Sequence, residues 1–280
     1  MALLCFSFFF YFTAIMLKVF FTTPHMQEDP RYVLFVHMLI NDTLYIILGN
    51  LMVVPFMYSI YIPVAICFII TSLAGYSFLV TPYNLALMSL ERYIAICFPL
   101  RYLQFCTPKK AKYAIAVVWV IGLSLIIVNL TVAIYSAERT SYSLYVLCDG
   151  SMLMLNPIQD VVRTFTNILS FTVVALIIVY TYINVMLVAR RIGSSGSSAI
   201  KASTTVMLHA FQLVLCMVAF ISTITETYIK NYMYYLILSN YVLFVCLPRL
   251  ISPFIYGVRD EAFQKHIRKY CTITLVCRPQ

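Results

Sequence analysis

Four charged residues sit where the surrounding chain is strongly apolar, and they are the first places to look for chemistry. Asp42 ends the string His37-Met-Leu-Ile-Asn-Asp42, and Arg249 lies four residues before Pro253. Glu91 and Arg92 are adjacent and are followed by Tyr93. An ionised side chain inside hydrocarbon is costly, so each such residue marks a functional position by default and calls for a partner. Asp42 and Arg249 are expected to pair with each other; the alternative is Arg249 bonded to backbone carbonyls or polar side chains. Glu91 and Arg92 read as a charged pair at a membrane edge, or as a plain cationic anchor at a helix end. Arg163 and Glu226 are charges near the ends of two further apolar runs. Arg163 could hold a carboxylate or sulfonate, or pair with Glu226, which could instead pair with Lys230. Signatures of catalysis are missing. There is no metal-spaced His/Cys cluster, nucleophile elbow or phosphate loop. His25, His37, His209 and His266 are scattered, and His209 reads as a packing or switch residue rather than a ligand. The sequence calls for no enzyme activity, cofactor or metal.

The elements that must position these residues follow from composition. Of 280 residues, 62% are hydrophobic and 10% charged, and the mean hydropathy is +0.92. Soluble domains are about 45–50% apolar and about 25% charged, so this chain has too little polar surface to coat a water-soluble globule. Seven apolar stretches, at about 1–21, 32–57, 63–90, 113–135, 160–188, 206–226 and 232–257, are each long enough to cross roughly 30 Å of hydrocarbon as helices. The stretch at Met1 is a span rather than a signal peptide, because it has no basic leader and no small-residue cleavage site. The fold expected is all-α, a seven-transmembrane helix bundle over 1–257. A cytoplasmic tail over 258–280 comes next, starting with a short amphipathic eighth helix that places Phe263, Ile267 and Tyr270 on one face.

Basic residues set the orientation. With the chain start outside, 15 of the 19 Lys and Arg residues fall in inner connections or the tail. The net charge of +9 is therefore a topology signal and a docking surface for a cytoplasmic partner, not a sign of nucleic acid. Of nine cysteines, Cys67 and Cys148 alone sit clearly in oxidising space, which suggests one bridge; two free thiols are the alternative. Cys271 and Cys277, after the basic amphipathic segment, are expected palmitoylation sites or unmodified thiols.

One string carries a specific likeness. Met88-Ser-Leu-Glu-Arg-Tyr-Ile-Ala-Ile-Cys-Phe-Pro-Leu-Arg-Tyr102 resembles the rhodopsin-like receptors coupled to G proteins, and its length resembles odorant receptors, fish ones in particular. Asp42 matches that family's second-helix Asp, which lies near a sodium and water pocket in many members. Cys67 precedes Arg92 at the family's spacing for its bridging cysteine, and Trp119 sits in the fourth span as the family's Trp does. "KASTTVMLH" at 201–209 resembles the start of the sixth helix, and "SPFIY" at 252–256 resembles the Asn-Pro-x-x-Tyr motif. Departures are present. Thr13 stands nearest to the family's first-helix Asn, Ser252 replaces the Asn before Pro253, and Arg249 has no counterpart in the pattern. It is expected to occupy the region where other members hold sodium.

The resemblance implies a function. An odorant-like small molecule binds from the extracellular side of the plasma membrane, and a heterotrimeric G protein is activated from the cytoplasm. Glu91, Arg92, Tyr93, Tyr182, His209, Pro253 and Tyr256 are the implied coupling and switch residues. The implied ligand region comprises Ala74, Gly75, Phe78 and Leu79 of span three, Arg163, Met217, Phe220, Ile221 and Ile224 of spans five and six, and Val242 and Val245 of span seven. Ala74 stands where amine receptors of this class carry an Asp, which argues against an amine. Two other readings remain open: a non-olfactory receptor of the same class, and a small-solute channel that uses Asp42 and Arg249 as a translocation pair.

Overall fold

Thr23-Pro24, Asp29-Pro30 and Thr107-Pro108 each begin a helix. Asp29 caps the second long helix by accepting the Arg31 backbone N–H at 2.9 Å, with Pro30 in its first turn. Thr107 does the same for the fourth, its Oγ1 accepting the Lys110 N–H at 3.2 Å, ahead of Pro108. Such positions satisfy a backbone donor that the helix itself leaves open. The computed structural model describes residues 2–136, 145–148, 157–192 and 241–247, and the single positions 207, 211, 214, 239 and 249. In chain order it has α1 (Ala2–Thr22), α2 (Pro24–Gln27), α3 (Pro30–Met57), β1 (Tyr61–Pro63), α4 (Val64–Cys97), a 3₁₀ turn (Pro99–Arg101), α5 (Tyr102–Phe105), α6 (Pro108–Ser136), β2 (Tyr145–Leu147), α7 (Pro157–Ile192) and a π-helical stretch (Tyr241–Cys246). Among the described residues, four helices are long and apolar enough to cross a membrane: α3, α4, and parts of α6 and α7. Met207, Phe211 and Val214 are helical and exposed; the rest of the sixth span, and the segment expected to form an eighth helix, lie outside the described residues.

The helices overrun the stretches expected from hydropathy. The third expected span ends at 90, yet α4 continues to Cys97, and its 34 residues reach about 51 Å. α6 begins at Pro108 rather than 113, and α7 runs from Pro157 to Ile192. Hydropathy marks only the part in hydrocarbon, whereas the hydrogen-bond ladder runs on into the headgroup layer until proline or a cap stops it. Polar side chains within the spans turn back on their own helix. Thr43 donates to the Leu39 carbonyl at 2.7 Å, Asn50 to Ile46 at 2.9 Å and Ser89 to Leu85 at 2.9 Å. Apolar solvent makes this local solution the default.

One continuous apolar core joins α1, α3, α4, α6 and α7, through Met16 and Val19, Phe35 and Leu39, Leu85 and Met88, Ala111, and Phe171 and Ile178. The opposite faces of α6 and α7 stay open, with Val120, Ile127, Leu176 and Val179 exposed, as lipid contact requires. Hydropathy gave no hint of the small antiparallel sheet, in which β1 pairs with β2 and Ile62 stands opposite Val146. Three-residue strands carry too little pattern to read in sequence.

Gly122 of α6 lies directly against the Tyr76 ring of α4. A Cβ there would lie 1.8 Å from the Tyr76 ring, and that buried ring donates its hydroxyl to the Trp119 carbonyl at 3.2 Å. The expected outcome for Gly122→Ala is a loss of about 1–3 kcal/mol, the usual cost of overpacking. It would be read as a lower thermal midpoint of the purified protein. Adding Tyr76→Leu to that variant should recover part of the loss.

Candidate receptor site and coupling end

α4 is the central element, and its polar residues meet partners on nearly every neighbour. At one end Cys67 is bonded to Cys148. The pair lies beside the β1–β2 sheet, so the connection that carries β2 is tied to the start of α4 both covalently and by backbone hydrogen bonds.

In the middle, Asp42 of α3 and Arg249 are both fully buried, and Arg249 Nε stands 3.8 Å from Asp42 Oδ1. At that distance the contact is one of charge rather than a hydrogen bond. The guanidinium also lies 4.0 Å from the centroid of the Tyr45 ring, a cation–π stack that is strongest where water is excluded. Thr81 of α4 donates to Asp42 Oδ1 at 3.5 Å. Its hydroxyl in turn accepts from Asn41 Nδ2 at 3.1 Å, and the same Asn41 amide donates to the Ser77 carbonyl at 3.0 Å. Three residues before Arg249 the backbone is π-helical, from Tyr241 to Cys246. Such a stretch adds a residue to the turn and re-aims the side chains beyond it. Tyr241 donates to the Ile46 carbonyl at 3.2 Å, above Gly49, where a Cβ would meet the tyrosine ring at 2.7 Å.

A second polar cluster, half-buried at His37 and Trp119, was not anticipated from sequence. The Trp119 Nε1–H of α6 donates to His37 Nε2 at 2.7 Å. Indole is a donor only, so Nε2 accepts, the imidazole proton sits on Nδ1, and Nδ1 donates to Asn84 Oδ1 at 3.2 Å. Asn84 Nδ2 then donates to the Leu34 carbonyl at 3.2 Å. One histidine thus joins α3, α4 and α6. The reasoning that singled out Asp42, a polar side chain in an apolar run, applies equally to His37 and Asn84 and would have found them.

At the other end of α4, Arg92 Nε is 3.5 Å from Glu91 Oε2, and Tyr102 of α5 donates its hydroxyl to Glu91 Oε1 at 2.8 Å. Tyr93 packs edge-on against Phe98 and against Tyr180 of α7. Tyr182 packs on the main core. Burial, then the Glu91 charge, hold the Tyr102 phenol well above its ordinary range. The same two causes, in that order, push the Cys106 thiol up to about 11.

The implied ligand region is brought together only in part. Ala74 is buried, and Leu79 is half-buried. Phe78 lies between Tyr45 of α3 and Phe171 of α7, with ring centroids 6.0 Å and 5.8 Å away. Val242 is half-buried in the π-helical stretch. Gly75 is exposed, with open space where a Cβ would stand. Arg163 and Val245 lie on described backbone, but their side chains do not belong to the described set. His209, Met217, Phe220, Ile221, Ile224, Pro253, Tyr256, Cys271 and Cys277 lie outside the described residues.

Thiol reactivity reports on the Glu91 end. Only the thiolate alkylates, and a thiol titrating near 11 is roughly a hundredfold less ionised at pH 8 than one at its ordinary value. Alkylation of Cys106 by iodoacetamide, followed by peptide mass spectrometry, should therefore be slow at pH 8 and rise through pH 10–11. Glu91→Gln should shift that rise to lower pH.

Sequence comparisons place the chain in a family. The family model described as 7 transmembrane receptor (rhodopsin family) matches residues 13–257. The chain is 29% identical over 252 residues to Odorant receptor 131-2 of Danio rerio, covering 87% of this chain and 76% of that protein. It is 28% identical over 193 residues to Olfactory receptor 2M5 of Homo sapiens, covering 66% of this chain and 61% of that receptor. It is 24% identical over 210 residues to the human Olfactory receptor 6K3, of which it spans 60%. The seven-helix bundle, the string around Glu91-Arg92-Tyr93 and the Cys67–Cys148 bridge all have their place in one family, and the chain belongs to the rhodopsin family of seven-transmembrane receptors.

Proposed function

We propose that the chain is an odorant receptor of the plasma membrane that binds a small molecule from the extracellular side and activates a heterotrimeric G protein at its cytoplasmic end. The observation that carries this reading is the Arg92 end of α4. Glu91 holds Arg92 against its own helix, and Tyr102 occupies the other carboxylate oxygen. In a rhodopsin-family chain this is a closed coupling site: while Glu91 holds it, the Arg92 guanidinium is turned away from a partner helix.

A ligand shifts such an equilibrium only through better affinity for the open form. The Cys67 end faces outward in this reading, as the count of basic residues in the connections favours, and the basic connections face the G protein. The ligand lies against the Tyr45, Phe78 and Phe171 rings, an apolar wall that suits a small, largely apolar molecule. With no carboxylate at Ala74, an amine has no anchor there. Opening draws Arg92 from Glu91, with Tyr93, Tyr182 and Tyr256 lining the cleft that receives the partner. Cys271 and Cys277 anchor the tail as lipidated thiols.

The test is a panel of volatile and water-borne odorants applied to cells expressing the chain, with cAMP as readout. At least one compound should raise cAMP, Arg92→Ala should abolish that response, and Tyr102→Phe should raise the basal level two- to tenfold, as roughly 0.5–1.5 kcal/mol of lost hydrogen bonding implies. A ligand response untouched by Arg92→Ala would sink the assignment. Ion currents without any G protein would favour a channel.

A further inference from the structure

We propose that Arg249 is a built-in counter-cation, filling from within the chain the place beside Asp42 that a dissolved monovalent cation would otherwise take, so that the bundle is indifferent to sodium. Asp42 is fully buried at the junction of α3 and α4. A carboxylate in so apolar a setting stays ionised only beside an opposite charge. Its surroundings offer hard oxygen donors of the kind alkali cations accept. The Thr81 hydroxyl is 3.5 Å from Asp42 Oδ1, and the Ser77 carbonyl and the Asn41 amide belong to the same hydrogen-bonded chain. Asp42 Oδ2 and Asn41 Oδ1 accept no hydrogen bond from a described residue.

Arg249 settles the charge balance at this spot. Its Nε is 3.8 Å from Asp42 Oδ1, and its guanidinium is held over Tyr45 at 4.0 Å. Each member of the pair carries one unit charge. A dissolved cation entering as well would leave the cluster at net positive charge with no water to solvate it. Exclusion therefore follows from charge as well as from space. Removing the guanidinium reverses both terms: a buried anion ringed by oxygens remains, next to a volume the size of an arginine head group. The oxygens that now surround an ion pair become a cation site.

Neither ligand nor G protein enters the test, so its result is separate from the receptor reading. The purified full chain in neutral-lipid nanodiscs is unfolded by heat, with the single tryptophan (Trp119) as fluorescent probe. Sodium chloride is compared with N-methyl-D-glucamine chloride at equal ionic strength. Wild-type midpoints should coincide. Arg249→Ser should melt several degrees higher in sodium than in N-methyl-D-glucamine, and adding Asp42→Asn should make the two curves coincide again. A sodium-specific shift in the wild type, or a folded Arg249→Ser variant indifferent to sodium, would overturn the proposal. If Arg249→Ser does not fold, the Asp42→Asn/Arg249→Ser protein decides. Recovery of a folded bundle supports the counter-ion role, and failure to recover refutes it.

Discussion

Hydrocarbon solvates a leucine as well as a protein interior does, so apolar burial alone does not choose how helices in a bilayer sit against one another. Polar groups do, because lipid offers them no partner. That constraint organises this molecule. Asp42 must be neutralised, and the charge comes from Arg249, 207 residues later in the chain. His37, Trp119 and Asn84 must exchange hydrogen bonds, and in doing so they fix α3, α4 and α6 to one another. Each pairing is specific in geometry in a way that leucine against leucine is not. The small residues obey the same requirement: Gly122 admits the Tyr76 ring and Gly49 admits Tyr241, so backbones approach closely enough for side chains to reach across.

Legibility in the sequence obeys the same division. The spans, the charged pairs and the cysteine bridge were readable because each is one unusual residue type against an apolar background. Asp42 and Arg249 are conspicuous for that reason, and a mid-membrane charge has few candidates for a partner. Cys67 and Cys148 stood out once the topology had sorted the other thiols. His37 was not readable as a linker of three helices. His37 and Asn84 stand out singly as polar residues in apolar runs, but the partners of His37 lie 47 and 82 residues away, and residue type alone does not say which to join. Tyr102 as a ligand of Glu91 was missed because Pro99 marks the turn over Pro99–Arg101 without saying where that turn sends the next side chain.

The two ends of α4 are held by bonds of different strength. At the Cys67 end a covalent bridge and a two-strand backbone ladder act together, and a native disulfide alone is typically worth about 2–4 kcal/mol. At the Glu91 end the restraints are a 3.5 Å contact with Arg92 and one phenol hydrogen bond, each worth about 1–3 kcal/mol at most. They are also reversible on the timescale of helix motion. In between, the buried Asp42–Arg249 contact and the half-buried His37–Trp119 one are costly to break, since parting them strands polar groups in hydrocarbon. A perturbation applied near Phe78 therefore meets a stiff end and a stiff middle. The compliant direction left is rotation or tilt that parts the Arg92 end from its neighbours. That asymmetry comes from where the chain placed its few polar residues, and it is what the proposed receptor function requires of α4.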